Sequence, residues 1–328
     1  MTTPIRWGIL GLGTIARAFA TGLQAVPDAK LVAVGSRSVF KAKEFAKEFG
    51  APRVHGSYAE LAGDPEVDAI YVATPHPMHK DDAIQCLEQG KAVLCEKPFC
   101  VNAKELEQVI AVARRKRVFL MEAMWTRFMP AMVKVREWLA QGRIGEPRLV
   151  TADFGFRCQW DPASRLLAPS YAGGGLLDVG IYTVAFATMV FGPQPSRITG
   201  FAHLGETCVD EQAAFVLGWP SGGLASLTCA VRTETPHAAR IDGTEGRIEV
   251  PTPFWKATRA VLTAGGRTET IDAPHQANGY EYEAMEVGRC LRAGLLESPV
   301  VSLDESLAMM RILDQVRAQV GLKYPMDG

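Results

Sequence analysis

Three side chains in this sequence could take part in proton transfer: Lys97, Asp178 and Tyr182. Lys97 follows the apolar run 92–95, which predicts a buried parallel strand, and packing does not explain a lysine at the end of such a strand. Asp178 and Tyr182 are four residues apart in an apolar helix, so both project from one face. Because a cationic neighbour such as Lys97 lowers the pKa of a phenol from its ordinary value of about 10, Tyr182 could accept a proton from an alcohol.

Each of these residues also has a structural explanation. Tyr182 could be a core tyrosine that is hydrogen-bonded to Asp178. Lys97 could form an ion pair with Glu96, although adjacent residues of a strand face opposite sides. The glycines at 173–175, just before the helix, allow a loop to pass close to a ligand, which favours the chemical interpretation.

An apolar strand near the N-terminus ends in a glycine turn that could hold a phosphate. The turn reads Gly11-Leu-Gly13-Thr-Ile-Ala16, the G-x-G-x-x-A pattern of dinucleotide-binding domains. Gly11 permits the tight turn, Gly13 has no Cβ to block a pyrophosphate, and Ala16 lets the following helix approach the strand. Backbone N–H groups at the helix start, those of Thr14 and Ile15, could bind the phosphate. A second strand after this helix completes a βαβ unit, which argues against an ordinary glycine-rich turn.

Residues after later strands fit a nicotinamide dinucleotide, because ligands of open parallel sheets bind beyond the carboxyl ends of the strands. Ser36, Arg37 and Ser38 follow the second strand, where an NAD-binding domain usually has an acidic residue. A guanidinium and two hydroxyls fit the 2′-phosphate of NADP, so NADP(H) is predicted and NAD(H) is disfavoured; alternatively, Arg37 simply faces solvent. The other predicted cofactor-binding residues lie on later segments: Thr74, Pro75, His79, Glu96, Lys97 and Arg127.

The order of predicted elements indicates two domains. Strands alternate with helices through residues 1–124, which predicts a doubly wound Rossmann sheet with right-handed crossovers. Residues 125–328 contain consecutive strands followed by helices, which predicts an α+β domain with a large, mostly antiparallel, open-faced sheet. The fold class is therefore α/β with a second α+β domain. The predicted strands of the second domain are 147–156, 196–203, 211–217, 223–231, 239–242, 247–250 and 260–263.

Composition argues against several classes of protein. The 35 basic and 36 acidic residues nearly cancel, so no nucleic-acid partner is expected. Seven cysteines without C-x-x-C pairs or ligand spacing predict reduced thiols and no metal site. The apolar run 173–192 is as long as a membrane span, but Asp178 interrupts it and no basic residues flank it, so we predict a buried helix and no membrane. Since the first strand starts early and leaves no room for a signal peptide, we expect a cytoplasmic protein.

Five motifs together resemble a known family. They are Gly11-Leu-Gly-Thr-Ile-Ala16, Thr74-Pro-His-Pro-Met-His79, Glu96-Lys-Pro98, Met124-Trp-Thr-Arg-Phe-Met-Pro130 and Gly173-Gly-Gly-Leu-Leu-Asp178-Val-Gly-Ile-Tyr182. The order of these motifs is specific, and the resemblance covers nearly the whole chain. The sequence is similar to the glucose-fructose oxidoreductase and inositol dehydrogenase (Gfo/Idh/MocA) family, most of all to its dimeric dihydrodiol dehydrogenase and NADP-dependent D-xylose dehydrogenase branch. The resemblance implies that Lys97 is the catalytic lysine beside the nicotinamide, positioned by a turn that often has a cis bond before the proline. Members of the wider family often carry histidine where this chain, like the dihydrodiol branch, has Tyr182.

Residues and resemblance together predict an NADP-dependent oxidoreductase. It would transfer hydride between the nicotinamide and a CH–OH or C=O carbon of a sugar or a cyclic trans-dihydrodiol. One alternative is an NADPH-dependent keto-sugar or dicarbonyl reductase of the same family. Another is a non-catalytic NADP(H)-binding sensor, which the presence of both Lys97 and Tyr182 argues against.

The sequence also predicts aromatic substrate-binding residues and a homodimer. Sugar and arene rings both stack on aromatic faces, although each candidate alone is also explained as a core residue. His79 could shape the nicotinamide site or cap its own loop. One face of the second sheet must meet water or a partner, so we expect a homodimer through that face. The candidate substrate-binding residues are Trp125, Phe154, Trp160 and Trp255.

Overall fold

The computed structural model describes residues 3–327 and divides the chain into two compact units. The first unit comprises the chain up to Cys100, together with Lys104–Trp125 and Gln276–Ser306. The second unit comprises Val101–Ala103, Thr126–His275 and the chain from Leu307 onward. The α-helices in chain order are α1 Thr14–Leu23, α2 Val39–Phe49, α3 Tyr58–Ala62, α4 His79–Glu88, α5 Ala103–Lys116, α6 Pro130–Ala140, α7 Ile181–Phe191, α8 Glu281–Arg292 and α9 Leu303–Val320.

A six-stranded parallel sheet forms the core of the first unit. Its strands are β1 Ile5–Leu10, β2 Ala29–Gly35, β3 Arg53–His55, β4 Ala69–Val72, β5 Ala92–Glu96 and β6 Leu120–Ala123. They are arranged in the order β3-β2-β1-β4-β5-β6, which is the order of a doubly wound dinucleotide-binding sheet. Every residue of β4, β5 and β6 is buried, because a parallel sheet is covered on both faces. The predicted Rossmann fold is confirmed.

The segment Gln276–Ser306 packs with the first unit, whereas the predicted division at residue 124 assigned it to the second domain. Asn278 donates a hydrogen bond from Nδ2 to the carbonyl oxygen of Ala18 in α1, at 2.8 Å. Gly22 allows the approach, since a Cβ there would lie 2.9 Å from the backbone nitrogen of Glu281. Helix α8 is therefore part of the cofactor-binding fold although it lies far along the chain.

An eight-stranded sheet forms the core of the second unit. Its strands are β7 Pro147–Gly155, β8 Arg197–Leu204, β9 Asp210–Gly218, β10 Leu224–Ala230, β11 Ala239–Gly243, β12 Gly246–Val250, β13 Arg259–Ala264 and β14 Arg267–Asp272. They are arranged in the order β14-β13-β12-β11-β7-β10-β9-β8, and β7 and β10 pair in parallel whereas the other neighbours are antiparallel. The predicted mostly antiparallel sheet is confirmed. Strand β14 was not predicted, because it is polar and mostly exposed and so has no apolar alternation.

The two faces of this sheet differ in burial. Helix α7 packs against β7 and β10, and the side chains on that face are buried. The opposite face exposes large apolar side chains, and strand register places them on one side because residues that pair across strands face the same way. The sheet is therefore open-faced, as predicted. We call this the open face, defined by its exposed apolar residues Leu149, Phe201, Val216 and Leu224.

The apolar run predicted to be a buried helix is confirmed as one. It consists of a π-helical turn, Leu176–Gly180, which continues directly into α7. Within the part of the chain that the structure describes, Pro169–Phe191 is the one segment long and apolar enough to cross a membrane, and 83% of its most apolar window is buried inside the protein. Burial against the sheet accounts for its apolar composition.

Candidate active site

The glycine turn after β1 leaves space for a phosphate. Gly11 has a φ of 87°, and a Cβ there would lie 2.9 Å from the carbonyl oxygen of Ala73. At Gly13, apart from its two neighbours in the chain, no atom of residues 3–327 lies within 4 Å of the position that a Cβ would take. Within the described part of the chain, no side-chain hydrogen bond caps the N-terminus of α1, so the N–H groups of Thr14 and Ile15 begin a helix with an open approach for an anion.

The loop after β2 combines one exposed cation with two hydroxyl groups. The Ser38 N–H donates to Ser36 Oγ at 3.1 Å, and Ser38 Oγ accepts the Lys41 N–H at 3.4 Å as the N-cap of α2. Arg37 is exposed. Burial raises the pKa of the Tyr58 phenol, and the adjacent Arg37 guanidinium opposes that shift. The loop therefore presents hydrogen-bond donors and a positive charge where an NAD-binding domain usually has a carboxylate.

His79 ties the loop after β4 to the turn after β5. Its ring is fully buried, with Nε2 2.7 Å from the carbonyl oxygen of Thr74 and Nδ1 3.0 Å from that of Pro98. Burial lowers the pKa of His79. Thr74 Oγ1 also donates to Asp82 Oδ2 at 2.7 Å, and burial raises the pKa of Asp82 to about 6. His79 therefore braces two loops, and its contact with a nicotinamide stays a prediction.

Lys97 follows β5 in a turn that has a cis peptide bond to Pro98, as the resemblance implied. The buried carboxylate of Glu96 accepts the backbone N–H of Lys97 at 3.1 Å and the hydroxyl hydrogen of Tyr71. Burial and the neighbouring Glu96 raise the pKa of Tyr71 well above its ordinary value, so its phenol remains a donor. A buried acceptor thus fixes the backbone from which the partly exposed lysine projects.

Asp178 and Tyr182 lie in the second unit on one buried helical segment. Asp178 belongs to the π-helical turn, and Tyr182 is the second residue of α7. The carboxylate of Asp178 forms a salt bridge with Arg165, with an Nη1–Oδ1 distance of 2.8 Å. The sequence predicted an ordinary α-helix here, whereas the structure has one wider turn, a feature that is frequent at functional sites.

An aromatic cluster surrounds Tyr182 in the second unit. Phe154 stacks on Trp255, with parallel rings whose centroids are 5.0 Å apart. The ring of Phe154 also lies 5.4 Å from that of Tyr182 and 5.0 Å from that of His237. We call these four residues the aromatic wall. Two predicted substrate residues, Phe154 and Trp255, are thus brought together beside Tyr182, and His237 was missed because its sequence neighbours show no motif.

The other two predicted substrate residues lie elsewhere. Trp160 is 45% exposed and stacks on the guanidinium of Arg232, whose Cζ is 5.4 Å from the ring centroid. Trp125 belongs to the first unit, where it stacks on Tyr280 with ring centroids 4.2 Å apart. Neither joins the aromatic wall within the second unit, so their contact with a substrate stays a prediction.

Comparison with known proteins adds an independent line of support. Residues 5–124 match the NAD-binding Rossmann fold of the GFO/IDH/MocA oxidoreductase family, and residues 132–249 match the GFO/IDH/MocA C-terminal domain. The chain belongs to the Gfo/Idh/MocA oxidoreductase family. It is therefore a nicotinamide-dependent oxidoreductase that acts on CH–OH groups, as the motifs predicted.

Individual relatives match nearly the whole chain. Trans-1,2-dihydrobenzene-1,2-diol dehydrogenase of Mus musculus is 43% identical over 98% of this chain and 99% of that protein. The Homo sapiens protein of the same name is 41% identical over the same shares of the two chains. A 3-ketoreductase from Actinomadura kijaniata, solved with NADP and TDP-benzene, has a TM-score of 0.86 and 26% identity over 97% of this chain and 98% of that one.

The first unit of this Gfo/Idh/MocA protein fits a nicotinamide dinucleotide. The open space at Gly13 and the uncapped start of α1 could hold a pyrophosphate. When it is bound, the nicotinamide gives or accepts a hydride. The residues of this unit that were predicted to hold the cofactor lie on strand ends, on loops and in the first turns of α1 and α4: Gly11, Gly13, Thr14, Ile15, Ser36, Arg37, Ser38, Thr74, Pro75, His79, Glu96 and Lys97.

Arg127, also predicted to bind the cofactor, is buried in the second unit. Its guanidinium donates from Nη2 to the carbonyl oxygen of Ala185 at 2.6 Å and to Thr188 Oγ1 at 3.1 Å. These bonds fasten the segment before α6 to α7. Arg127 therefore has a structural role, and its contribution to cofactor binding stays a prediction.

Sequence reasoning missed Glu283 on α8. This carboxyl group is fully buried, and neither of its oxygens has a hydrogen-bond partner among residues 3–327. Burial and the neighbouring Glu96 raise the pKa of Glu283 well above its ordinary value. No local signal reveals this site, because a glutamate in a polar helix is ordinarily exposed.

Glu283→Gln should stabilise the protein at alkaline pH. Because its folded-state pKa is raised, the Glu283 carboxyl contributes stability that is present below about pH 4 and is lost as the pH rises through the folded-state value. We expect the melting temperature of the variant to exceed that of the wild type at about pH 8.5 and to match it at about pH 4.5. Thermal unfolding at both pH values, with the exposed Glu107→Gln as control, measures this difference. Equal melting temperatures at alkaline pH would contradict it.

Proposed function

We propose that this protein is an NADP-dependent dehydrogenase whose substrate is a cyclic trans-dihydrodiol or a sugar. The observation that carries the proposal is the aromatic wall, which includes Tyr182, since arene and sugar rings both stack on such faces. The full-length identity of 43% to a mouse trans-dihydrobenzenediol dehydrogenase supports the dihydrodiol. A panel of trans-dihydrodiols and aldoses tests this proposal, with NADPH formation monitored by absorbance. Inactivity with both classes would refute it.

Tyr182 is the proposed general base. Its hydroxyl takes the proton of the substrate alcohol as the carbon is oxidised, and it returns that proton in the reverse direction. A cationic neighbour, for which the sequence offers Lys97, would lower the pKa of the phenol toward neutrality. Asp178, held by its salt bridge to Arg165, orients the reacting hydroxyl. The roles of Lys97 and Tyr182 follow from their sequence context and from the family resemblance.

Tyr182→Phe should lower kcat by roughly a hundredfold or more and leave cofactor binding near normal, because the lost hydroxyl acts in the transition state. Lys97→Met should also lose most activity, with a pH–rate profile displaced toward alkaline pH. The double variant should lose little more kcat than the worse of the two single variants, because the two residues act as a unit. The exposed Tyr171→Phe serves as the control in steady-state assays. Full kcat in Tyr182→Phe would remove the tyrosine from this role.

The preference for NADP is assigned to Arg37. Arg37→Ala should raise the KM for NADP by roughly tenfold or more, since a charge-assisted bond to the 2′-phosphate is lost. The KM for NAD should stay nearly unchanged, because NAD lacks that phosphate. Steady-state kinetics with both cofactors measure the effect, with the exposed Lys43→Ala of α2 as control. An equal rise for both cofactors would contradict the assignment.

A homodimer through the open face is also proposed. The face carries four exposed apolar side chains across adjoining strands, and Phe201 among them is 77% exposed. Water is a poor partner for a contiguous apolar patch, and a two-fold symmetric copy is the commonest solution.

The free cysteines further support a reducing, cytoplasmic compartment, which cell fractionation would test.

Phe201→Asp should convert the dimer to a monomer. A carboxylate placed at a symmetric apolar contact loses its hydration without gaining a partner. Light scattering at micromolar concentration measures the mass, with Leu295→Asp, an exposed leucine outside the second unit, as control. We expect a dimer for the wild type and the control. A wild-type mass of one chain would exclude the dimer.

A further inference from the structure

A buried carboxylate lies at the start of the helical segment that carries Asp178 and Tyr182. Asp210 is the first residue of β9, and its side chain is fully buried. Its Oδ2 accepts the backbone N–H of Leu176, the first residue of the π-helical turn, at 2.6 Å, and the N–H of Gly175 also bonds to this carboxylate. The first N–H groups of a helix have no partner within the helix. Asp210 therefore acts as an N-cap that comes from a distant strand.

The glycine run before this turn is explained by the same carboxylate. Gly174 has a φ of 112°, and a Cβ there would overlap Oδ1 of Asp210. A Cβ at Gly175 would lie 3.3 Å from Oδ2. The carbonyl oxygen of Gly173 accepts the hydroxyl hydrogen of Tyr324 at 2.5 Å. The sequence suggested that these glycines let the loop approach a ligand, whereas in the structure they let it approach a side chain of the protein itself.

The surroundings of Asp210 are polar on several sides. Arg317 on α9, Tyr324 near the C-terminus and Cys229 on β10 face its carboxylate. Oδ1 has no hydrogen-bond partner among the residues that the structure describes. Burial raises the pKa of Asp210 to about 7, although the N–H of Leu176 and the charge of Arg317 act against that shift.

We propose that Asp210 is a positioning residue for the reaction, because it fixes the start of the helical segment from which Tyr182 projects. Tyr182 lies six residues beyond the capped N–H of Leu176, within one continuous hydrogen-bonded segment. A displacement at the start of such a segment moves the side chains that follow, and a misplacement of about 1 Å can cost about a hundredfold in rate. The inference rests on the proposed role of Tyr182.

Two substitutions of Asp210 distinguish its role as a hydrogen-bond acceptor at the helix start from an effect of its negative charge. Asp210→Ala removes the acceptor and should lower kcat by roughly tenfold to a hundredfold. The KM for NADP should stay unchanged, because the predicted phosphate-binding residues belong to the first unit. Asp210→Asn keeps an oxygen that can accept the Leu176 N–H and should restore most of kcat. Asp64→Asn, a buried carboxylate of the first unit bonded to Arg53, serves as the control and should lower stability without changing kcat.

Amide hydrogen exchange gives a readout that does not depend on activity. Asp210→Ala should lose protection across residues 174–184 and keep it in the first unit, whereas Asp210→Asn should keep it throughout. Because the folded-state pKa of Asp210 is raised, its contribution to stability is present below about pH 4 and is lost as the pH rises through about 7. The melting temperature of Asp210→Asn should therefore fall less than that of the wild type over this range.

The outcomes distinguish this inference from the proposed role of Tyr182. Full kcat in Tyr182→Phe would refute the base assignment and with it the positioning role. An inactive Tyr182→Phe together with wild-type kcat and protection in Asp210→Ala would overturn the positioning role alone. If Asp210→Ala does not fold, Asp210→Asn decides the matter. Native protection with a kcat within a fewfold of the wild type supports positioning, and native protection with a hundredfold loss of kcat overturns it in favour of a role of the charge.

Discussion

A buried carboxylate accepts a backbone N–H at the start of each segment that carries a proposed catalytic group. Glu96 accepts the N–H of Lys97 in the first unit, and Asp210 accepts the N–H of Leu176 in the second. In both places the chain leaves regular hydrogen bonding, at a strand end or a helix start, and water is excluded. A carboxylate meets this demand with a strong, directional acceptor. In each unit, the backbone that carries the proposed catalytic group is held by one of these two contacts.

The same arrangement concentrates acidic groups in low-dielectric surroundings. Glu283 lies near Glu96, and burial raises the pKa of both Glu283 and Asp210. Each group is a cost to folding at the pH where it must ionise. Buried acids of this kind are found where function needs a fixed polar group. Asp210 holds the start of a helix, and both buried acids lower the stability of the protein under alkaline conditions.

The aromatic wall shows how the second sheet assembles distant residues. Phe154 lies near the end of β7, Tyr182 on α7, and His237 and Trp255 on loops that flank β11 and β12. The sheet brings these positions to one place because β7 is a central strand with β10 and β11 on either side. The opposite, open face remains exposed. The two proposed roles, substrate binding and association with a second copy, thus fall on opposite faces of one sheet.

Local patterns in the sequence were sufficient to predict the Rossmann fold, most strands of the second sheet and the glycine turn, whereas the roles of Lys97 and Tyr182 stay predictions. These features can be predicted from local sequence, since strand and helix periodicity, turn residues and apolar runs are properties of neighbouring residues. Strand β14 could not be predicted in this way, because it is polar and mostly exposed.

Only the tertiary structure placed α8 with the first unit, buried Glu283 beside Glu96, and brought Asp210 to the helix that carries Tyr182. These contacts join residues that are dozens to hundreds of positions apart. Nothing in the local sequence around an acidic residue tells whether it meets water or a distant N–H group, because that depends on which surfaces the folded chain brings together.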